Sequence, residues 1–128
     1  MANKIVKTSF SAPDKHILIA NESYMVTLGG VIKATGVEAG SDGRKIVKAG
    51  TPLYGDIEKR DTGFAISGSG NPSCVLMHDV DVTAGDENGT IVIAGCVDLL
   101  KLDDSVKTAI SSVKANMPRI IFVEGSAI

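Results

Sequence analysis

The sequence predicts an α+β fold: a mainly antiparallel β-sheet or small barrel, one amphipathic helix near the C-terminus, and an extended N-terminal arm. Three observations lead to this prediction. Short apolar and β-branched segments, separated by turn residues, follow one another from residue 24 to residue 99. One segment with helical spacing comes next, and one more strand-like segment follows it. Strands followed by a helix are typical of α+β domains.

The chain fits one folded domain and an arm. Its 128 residues are enough to bury a core, which has to consist of Val, Ile, Leu and Ala because aromatic residues make up only 4%. Residues 1–22 mix β-branched residues with Lys, Ser and Pro and show neither helical nor alternating periodicity. We therefore predict an extended arm over residues 1–22, with little packing of its own, and a single β-rich domain over residues 23–128.

The first strands are short and are separated by turns. Residues 24–28 are predicted as a strand that ends at Gly29-Gly30, because a Gly-Gly pair adopts the positive φ angles of a tight hairpin turn. Pro52 restricts its segment to a sheet edge or to the start of a strand. Further strands are predicted at residues 31–35, 44–50 and 63–67, with loops at residues 36–43 and 68–72.

The two strongest strand signals lie on either side of an acidic turn. Residues 73–82 and 89–99 are rich in β-branched and apolar side chains, and the turn segment TAGDEN separates them. The nearly continuous hydrophobicity of residues 91–97 indicates a central strand or burial on both faces.

One helix follows these strands. Asp103 or Asp104 can cap its start, and Pro118 ends it before a final strand at residues 119–125. Its apolar residues recur at helical spacing: Leu102, Val106, Ala109, Ile110 and Val113.

The acidic stretch from residue 75 to residue 90 is the first candidate for chemistry. As a calcium loop beginning at Asp79, it would need Gly at its sixth position and Glu at its twelfth, where the chain has Ala84 and Thr90. Asp, Asn and Gly are also the residues of a hairpin loop, and Asp79 and Asp81 alternate with valines, which indicates one exposed strand face. We therefore predict a hairpin turn; a small metal-binding enzyme that uses the loop Asp79–Glu87 is the alternative.

Other catalytic or cofactor patterns are weaker. Cys74 and Cys96 fit no zinc spacing and lie in apolar runs, which favours buried thiols, with a disulfide between neighbouring strands as the alternative. Cys74 and His78 lie ~13 Å apart if they share a strand, too far for direct proton transfer. The GSGNP segment lacks the Lys-Ser or Lys-Thr of a phosphate loop. The sequence predicts no enzyme, no cofactor and no metal site.

Charge and hydropathy indicate which partners to expect. The net charge of −2 argues against nucleic acid as the main partner, because phosphate contacts need a basic surface. No apolar run approaches the ~20 residues that cross a bilayer, so we expect that the chain has no membrane partner. The N-terminus shows no apolar leader segment, so we expect synthesis in a cytosol-like compartment.

The whole-domain pattern resembles a family of small virion proteins of tailed bacteriophages. The segments that carry the resemblance are KAGTPLYGD, CVLMHDVDVTAGDENGTIVIAGCVDLLKLDD and PRIIFVEG, from about Lys48 to Val123. Members are described as capsid decoration (cement) proteins or head fibre proteins. The core HDVDV…NGT…VDL is the most specific part. The plan is more distantly similar to that of the head-decoration protein of phage lambda.

The resemblance implies a decoration protein on the outer capsid surface of the virion, made in the cytoplasm of the bacterial host. Its partners would be the major capsid protein and two further copies of itself in a homotrimer. The alternative within virion proteins is the base of a head fibre. An extended arm can add a strand to an exposed sheet edge of the shell protein. The residues assigned to this contact are Lys4, Ile5, Val6, Lys7, Thr8 and Phe10.

Overall fold

The computed structural model describes Ile17 and residues 25–124. It has the predicted α+β composition, with mostly antiparallel strands and one α-helix. The strands are β1 (Val26–Ile32), β2 (Ile46–Val47), β3 (Pro52–Leu53), β4 (Cys74–Leu76), β5 (Val80–Asp81), β6 (Glu87–Asp98) and β7 (Ile120–Val123). The α-helix α1 spans Asp104–Val113, and three 3-10 helices span Ile57–Thr62, Leu99–Lys101 and Lys114–Asn116.

Strand β6 organises the larger sheet. It pairs antiparallel with β1 on one side and β4 on the other, in the order β1-β6-β4-β3. Its last four residues pair in parallel with β7, and β2 and β5 form a separate two-stranded sheet. The described strands show no closed sheet, so the small barrel is not confirmed. Pro52 begins β3 at the end of this order, as its missing N–H requires.

The sheet is buried on both faces along much of β6. Neighbouring residues of a strand point to opposite faces, so Val92 packs in one core cluster and Ile91 in the other. The first cluster lies under α1 and contains Ile17, Ala49, Val75, Val92, Val97, Leu102, Val106, Ile110, Met117 and Ile120. The second contains Ile32, Val37, Val47, Leu53, Phe64, Cys74, Leu76, Val80, Val82, Ile91 and Ile93. The prediction of a doubly buried central strand is confirmed.

Helix α1 lies where the apolar spacing predicted it. Val106 and Ile110 are buried against the sheet, while the serines face outward. Asp103 occupies the N-cap position, but its side chain makes no capping hydrogen bond. Its carboxylate instead pairs with Lys48 Nζ at 2.6 Å, a contact that raises the lysine pKa mainly through the hydrogen bond.

The prediction of a turn at Gly29-Gly30 is wrong. Both glycines lie inside β1, opposite Thr90 and Gly89 of β6, and neither has a positive φ angle. The lack of a side chain at Gly30 makes room for a neighbour, because a Cβ at this position would lie 2.9 Å from the Phe64 ring. The glycine is therefore required by a close approach rather than by a turn.

The prediction of one continuous strand over residues 73–82 is also wrong. Strand β4 ends at Leu76, and after a bend the chain enters β5, which pairs with β2 rather than with β6. The bend is fixed by a backbone hydrogen bond from Gly50 N–H to the Leu76 carbonyl at 2.7 Å. The apolar alternation continues through the bend because Val80 and Val82 still point into the second cluster.

The described structure includes one residue of the predicted arm. Ile17 is fully buried in the first cluster, and its carbonyl accepts a hydrogen bond from the Asp98 N–H at 2.8 Å. The chain is therefore fixed to the end of β6 at this residue. The rest of the predicted arm, residues 1–16 and 18–22, lies outside the described residues, so the arm is not confirmed.

Candidate functional site

The acidic stretch was the first candidate, and its carboxylates make structural contacts. Asp79 Oδ1 accepts a hydrogen bond from the Ala49 N–H at 2.7 Å. This bond joins the bend after β4 to the segment between β2 and β3. Asp86 does the same at the far end of the stretch, where its Oδ1 accepts from the Ala34 N–H at 2.9 Å.

Asp81 stabilises the turn that it precedes. Its Oδ1 accepts from both the hydroxyl and the N–H of Thr83, at 2.5 and 2.9 Å. Its Oδ2 lies 3.3 Å from the Arg44 guanidinium. The side-chain and backbone hydrogen bonds from Thr83, with a smaller contribution from Arg44, lower the pKa of Asp81. This is the chemistry of a side chain that closes a turn.

The acids of the stretch therefore do not converge. Asp79, Asp81 and Asp86 bind backbone groups in three separate segments, and Glu87 is exposed at the first position of β6. Within residues 25–124 and Ile17, no group of three His, Cys, Asp or Glu side chains is placed to hold a metal ion. These contacts are those of a turn, but the predicted tight hairpin is wrong, because β5 pairs with β2 and not with β6, the strand that the turn leads into.

The cysteines are both free thiols. Cys74 is buried in β4, and burial raises its pKa to about 12, so it is a poor nucleophile. Cys96 is half-buried on β6. His78 is half-buried, and its Nδ1 atom is shielded from solvent without a hydrogen bond to any described residue. The described residues show no pairing of these groups.

The arm residues assigned to capsid binding, Lys4 to Thr8 and Phe10, lie outside the described residues. Among the described residues, the sheet edges are the surfaces to consider for binding. The sequence did not indicate which of these edges are covered by other parts of the chain. Two edges of the larger sheet are covered in part. At β1, Arg60 donates to the Gly29 carbonyl at 2.6 Å, and Phe64 exchanges backbone hydrogen bonds with Val31 and Lys33. At β3, Tyr54 and Ala65 bond to each other through their backbones.

Strand β7 presents a different edge. It pairs with β6 on one side. On its other side, the one backbone hydrogen bond to a described residue is from the Ile120 N–H to the Met117 carbonyl, at 3.1 Å. One cleft of about 240 Å³ is lined by both Ser73 and Arg119, which places the start of β7 beside the start of β4.

The exposed apolar side chains gather near the same end of β6. Ile121 is 60% exposed and is paired with Cys96, while Val26 is 49% exposed and is paired with Ala94. Paired residues and residues two apart on a strand share a face, so these four side chains lie on one face of the sheet. Leu100, also 60% exposed, lies in the 3-10 turn after β6.

The larger cleft, of about 730 Å³, is open and of mixed charge. Tyr54, Asp56, Glu58 and Arg119 contribute to its lining. Two of its polar side chains form hydrogen bonds with nearby backbone groups: Asp56 accepts from the Glu58 N–H, and the Ser73 hydroxyl donates to the Gly55 carbonyl. No described helix is long and apolar enough to cross a membrane.

Comparison of the chain with known proteins identifies no relative. No protein-family model matches the chain, and neither the curated proteins nor the solved structures contain a significant match.

Proposed function

We propose that the protein is a capsid decoration protein, which binds the outer surface of the mature head of a tailed phage as a homotrimer and stabilises the shell. The observation that carries this proposal is the resemblance of residues 48–123 to the decoration and head fibre family, above all in HDVDV…NGT…VDL. The positions of these motif residues in the fold support it. Val80, Val82 and Val97 are buried, and Asp79 and Asp98 each accept backbone hydrogen bonds.

A motif of this kind specifies a rigid scaffold. Its aspartates fix turns and its valines fill the core, so the shared residues are those that determine the shape of the domain. A decoration protein needs such a scaffold and no reactive group. Its effect on the shell follows from mass action, because a protein that binds only the intact lattice shifts the equilibrium away from disassembly.

The arm would provide part of the affinity. Ile5, Val6 and Phe10 would fill pockets while the backbone adds a strand to a sheet edge of the major capsid protein. Ordering each residue costs about 1–2 kcal/mol, which this burial has to offset. Ile17 gives the arm a fixed origin at Asp98. Phe10 is seven residues away along the chain, so its contacts lie within about 25 Å of that point.

Heat release of DNA from phage particles tests the proposal. Particles that lack the protein should release DNA at a lower temperature than complete particles, and added purified protein should restore the higher temperature. The variant Ile5→Asp with Phe10→Asp should restore less, whereas the control Thr108→Ser, at an exposed position of α1, should restore as much as the natural chain. Equal resistance with and without the protein contradicts the stabilising function.

We also propose that the chain is not an enzyme. In support, three acids of the stretch Asp79–Glu87 accept hydrogen bonds from backbone groups in separate segments: Asp79, Asp81 and Asp86. Calorimetric titration with Ca²⁺, Mg²⁺ and Zn²⁺ should give no saturable heat. A saturable site that Asp81→Asn abolishes would restore the metal-binding alternative.

A further inference from the structure

We propose that two copies of this chain pair antiparallel through their β7 strands around a two-fold axis, so that the larger sheet continues from one copy into the next. The proposal concerns an interface between copies and does not depend on capsid binding. It rests on the backbone directions of β7, on its exposed side chains and on the protection of the other sheet edges.

The hydrogen-bonding groups of β7 alternate between β6 and solvent. The Gly95 N–H donates to the Arg119 carbonyl, so this carbonyl faces β6, while the Ile120 N–H turns away and donates to the Met117 carbonyl. Because successive residues of a strand alternate in direction, the Ile120 carbonyl and both backbone groups of Phe122 point away from β6. They form no hydrogen bond with described residues. An unpaired row of this kind is a template for another strand.

One register satisfies all these groups at once. With Phe122 opposite Phe122 of the second copy, the two residues exchange two N–H to C=O hydrogen bonds across the axis. Ile120 then lies opposite Glu124, whose N–H reaches the Ile120 carbonyl, and symmetry repeats this bond. The Ile120 N–H, already bonded to Met117, is the one group that this register does not need. Four hydrogen bonds result.

The side chains agree with this register. Ile120 and Phe122 pack in the first core cluster, so Ile121 and Val123 point to the opposite face. In the paired strands, Ile121 of one copy lies directly opposite Val123 of the other, twice per contact. Ile121 is 60% exposed in the single copy, and Val123 is half-buried. Burying these two cross-strand pairs removes apolar surface from water.

The occupant of this edge is a second copy because the edge is self-complementary. Residues 120–123 carry no charge, so identical strands meet without like-charge repulsion. Arg60 and Phe64 cover the second half of the β1 edge, and Tyr54, which follows β3, pairs with Ala65. An isologous contact of this kind joins two protomers and cannot close a ring of three. In a lattice of trimers, it would link one trimer to its neighbour.

The contact is small, so we expect its affinity to be low. A pairing of about five residues belongs with the smallest, transient interfaces, so we expect dissociation constants on the order of 10 µM to 1 mM. Sedimentation velocity of the full chain over this range should show the species present at low concentration first doubling in mass as the concentration rises; a trimer, which has three such edges, should then associate further.

Two lysine substitutions separate this edge from general apolar association. Ile121→Lys places a charge at the centre of the contact, and the midpoint of the mass doubling should rise at least about tenfold. Val26→Lys changes an apolar residue of β1 that is 49% exposed, and the midpoint should stay within about twofold. Absence of mass doubling up to 1 mM, or an equal effect of both substitutions, overturns the proposal. Circular dichroism establishes that both variants are folded.

Cysteine crosslinking tests the register even if Ile121→Lys does not fold. In a Cys96→Ser background, we would mix Ile121→Cys protein with differently tagged Val123→Cys protein under mild oxidation. Directly opposed residues in this pairing have Cα atoms about 4.5 Å apart, within the range of a disulfide. The mixed 121–123 crosslink should exceed both the 121–121 and the 123–123 crosslinks several-fold. Equal yields of all three contradict the proposed register.

Discussion

Substitutions at Asp79 distinguish a structural carboxylate from a functional one. Asp79 Oδ1 accepts a hydrogen bond from the Ala49 N–H at 2.7 Å, and Ala49 is only 3% exposed. Asp79→Ala removes the acceptor and leaves this N–H without a protein partner. Asp79→Asn keeps an oxygen acceptor of the same shape and removes only the charge.

The structure gives the size of the expected effect. A buried donor left unsatisfied costs about 1–3 kcal/mol, while the neighbouring surface charge of Lys48 contributes less than about 1 kcal/mol. Asp79→Ala should therefore lower the free energy of unfolding by about 2 kcal/mol, or the melting temperature by about 6–10 °C. Asp79→Asn should cost less than about 1 kcal/mol.

Urea unfolding followed by circular dichroism measures both values. Asp61→Ala is the matched control, since Asp61 is an exposed acid without an assigned contact, and it should change the free energy by no more than about 0.5 kcal/mol. If Asp79→Asn destabilises the protein as much as Asp79→Ala, the carboxylate charge is what matters. The description of Asp79 as a backbone tie would then be refuted.

Three further predictions concern packing, thiol reactivity and pH. Gly30→Ala should destabilise the protein by about 1–3 kcal/mol in urea unfolding, because the added Cβ would overlap the Phe64 ring. Gly29→Ala should be nearly neutral, because no atom lies nearer than 4.0 Å to the added Cβ. Equal effects of the two substitutions would contradict the packing explanation. In a colorimetric thiol assay, Cys96 should react in the folded protein and Cys74, with its pKa of about 12, only after unfolding; equal rates would contradict its burial. The pKa of Asp81 is lowered by folding from the ordinary 3.8, so its contribution is present above that pH and is lost as the pH falls through the lower value. The destabilisation by Asp81→Asn should accordingly shrink in acid, and a cost that does not change with pH would refute this assignment.

The features that the sequence predicted correctly are those set by local periodicity. Helix α1 follows from the spacing of Val106 and Ile110, and the doubly buried β6 follows from a nearly continuous apolar run. Burial imposes these patterns directly on neighbouring residues, so a single sequence reports them.

The features that the sequence did not predict depend on distant partners. Gly30 lies in a strand rather than a turn because the Phe64 ring, far along the chain, occupies the space of its side chain. The break after Leu76 depends on Gly50, and the strand after it continues the same alternation, so the pattern shows no interruption. The same limit applies to the surfaces, since the contact of Arg60 with β1 and the β7 edge left without a strand partner among the described residues follow from tertiary pairing.

The number of copies in the virion tests the central claim most directly. Quantitative mass spectrometry on gradient-purified phage particles, from the lysate in which the chain is made, compares this protein with the major capsid protein. A decoration protein that covers the lattice predicts nearly equal copy numbers. A small fraction of that number would favour the base of a head fibre, and absence from the particles would contradict the virion function.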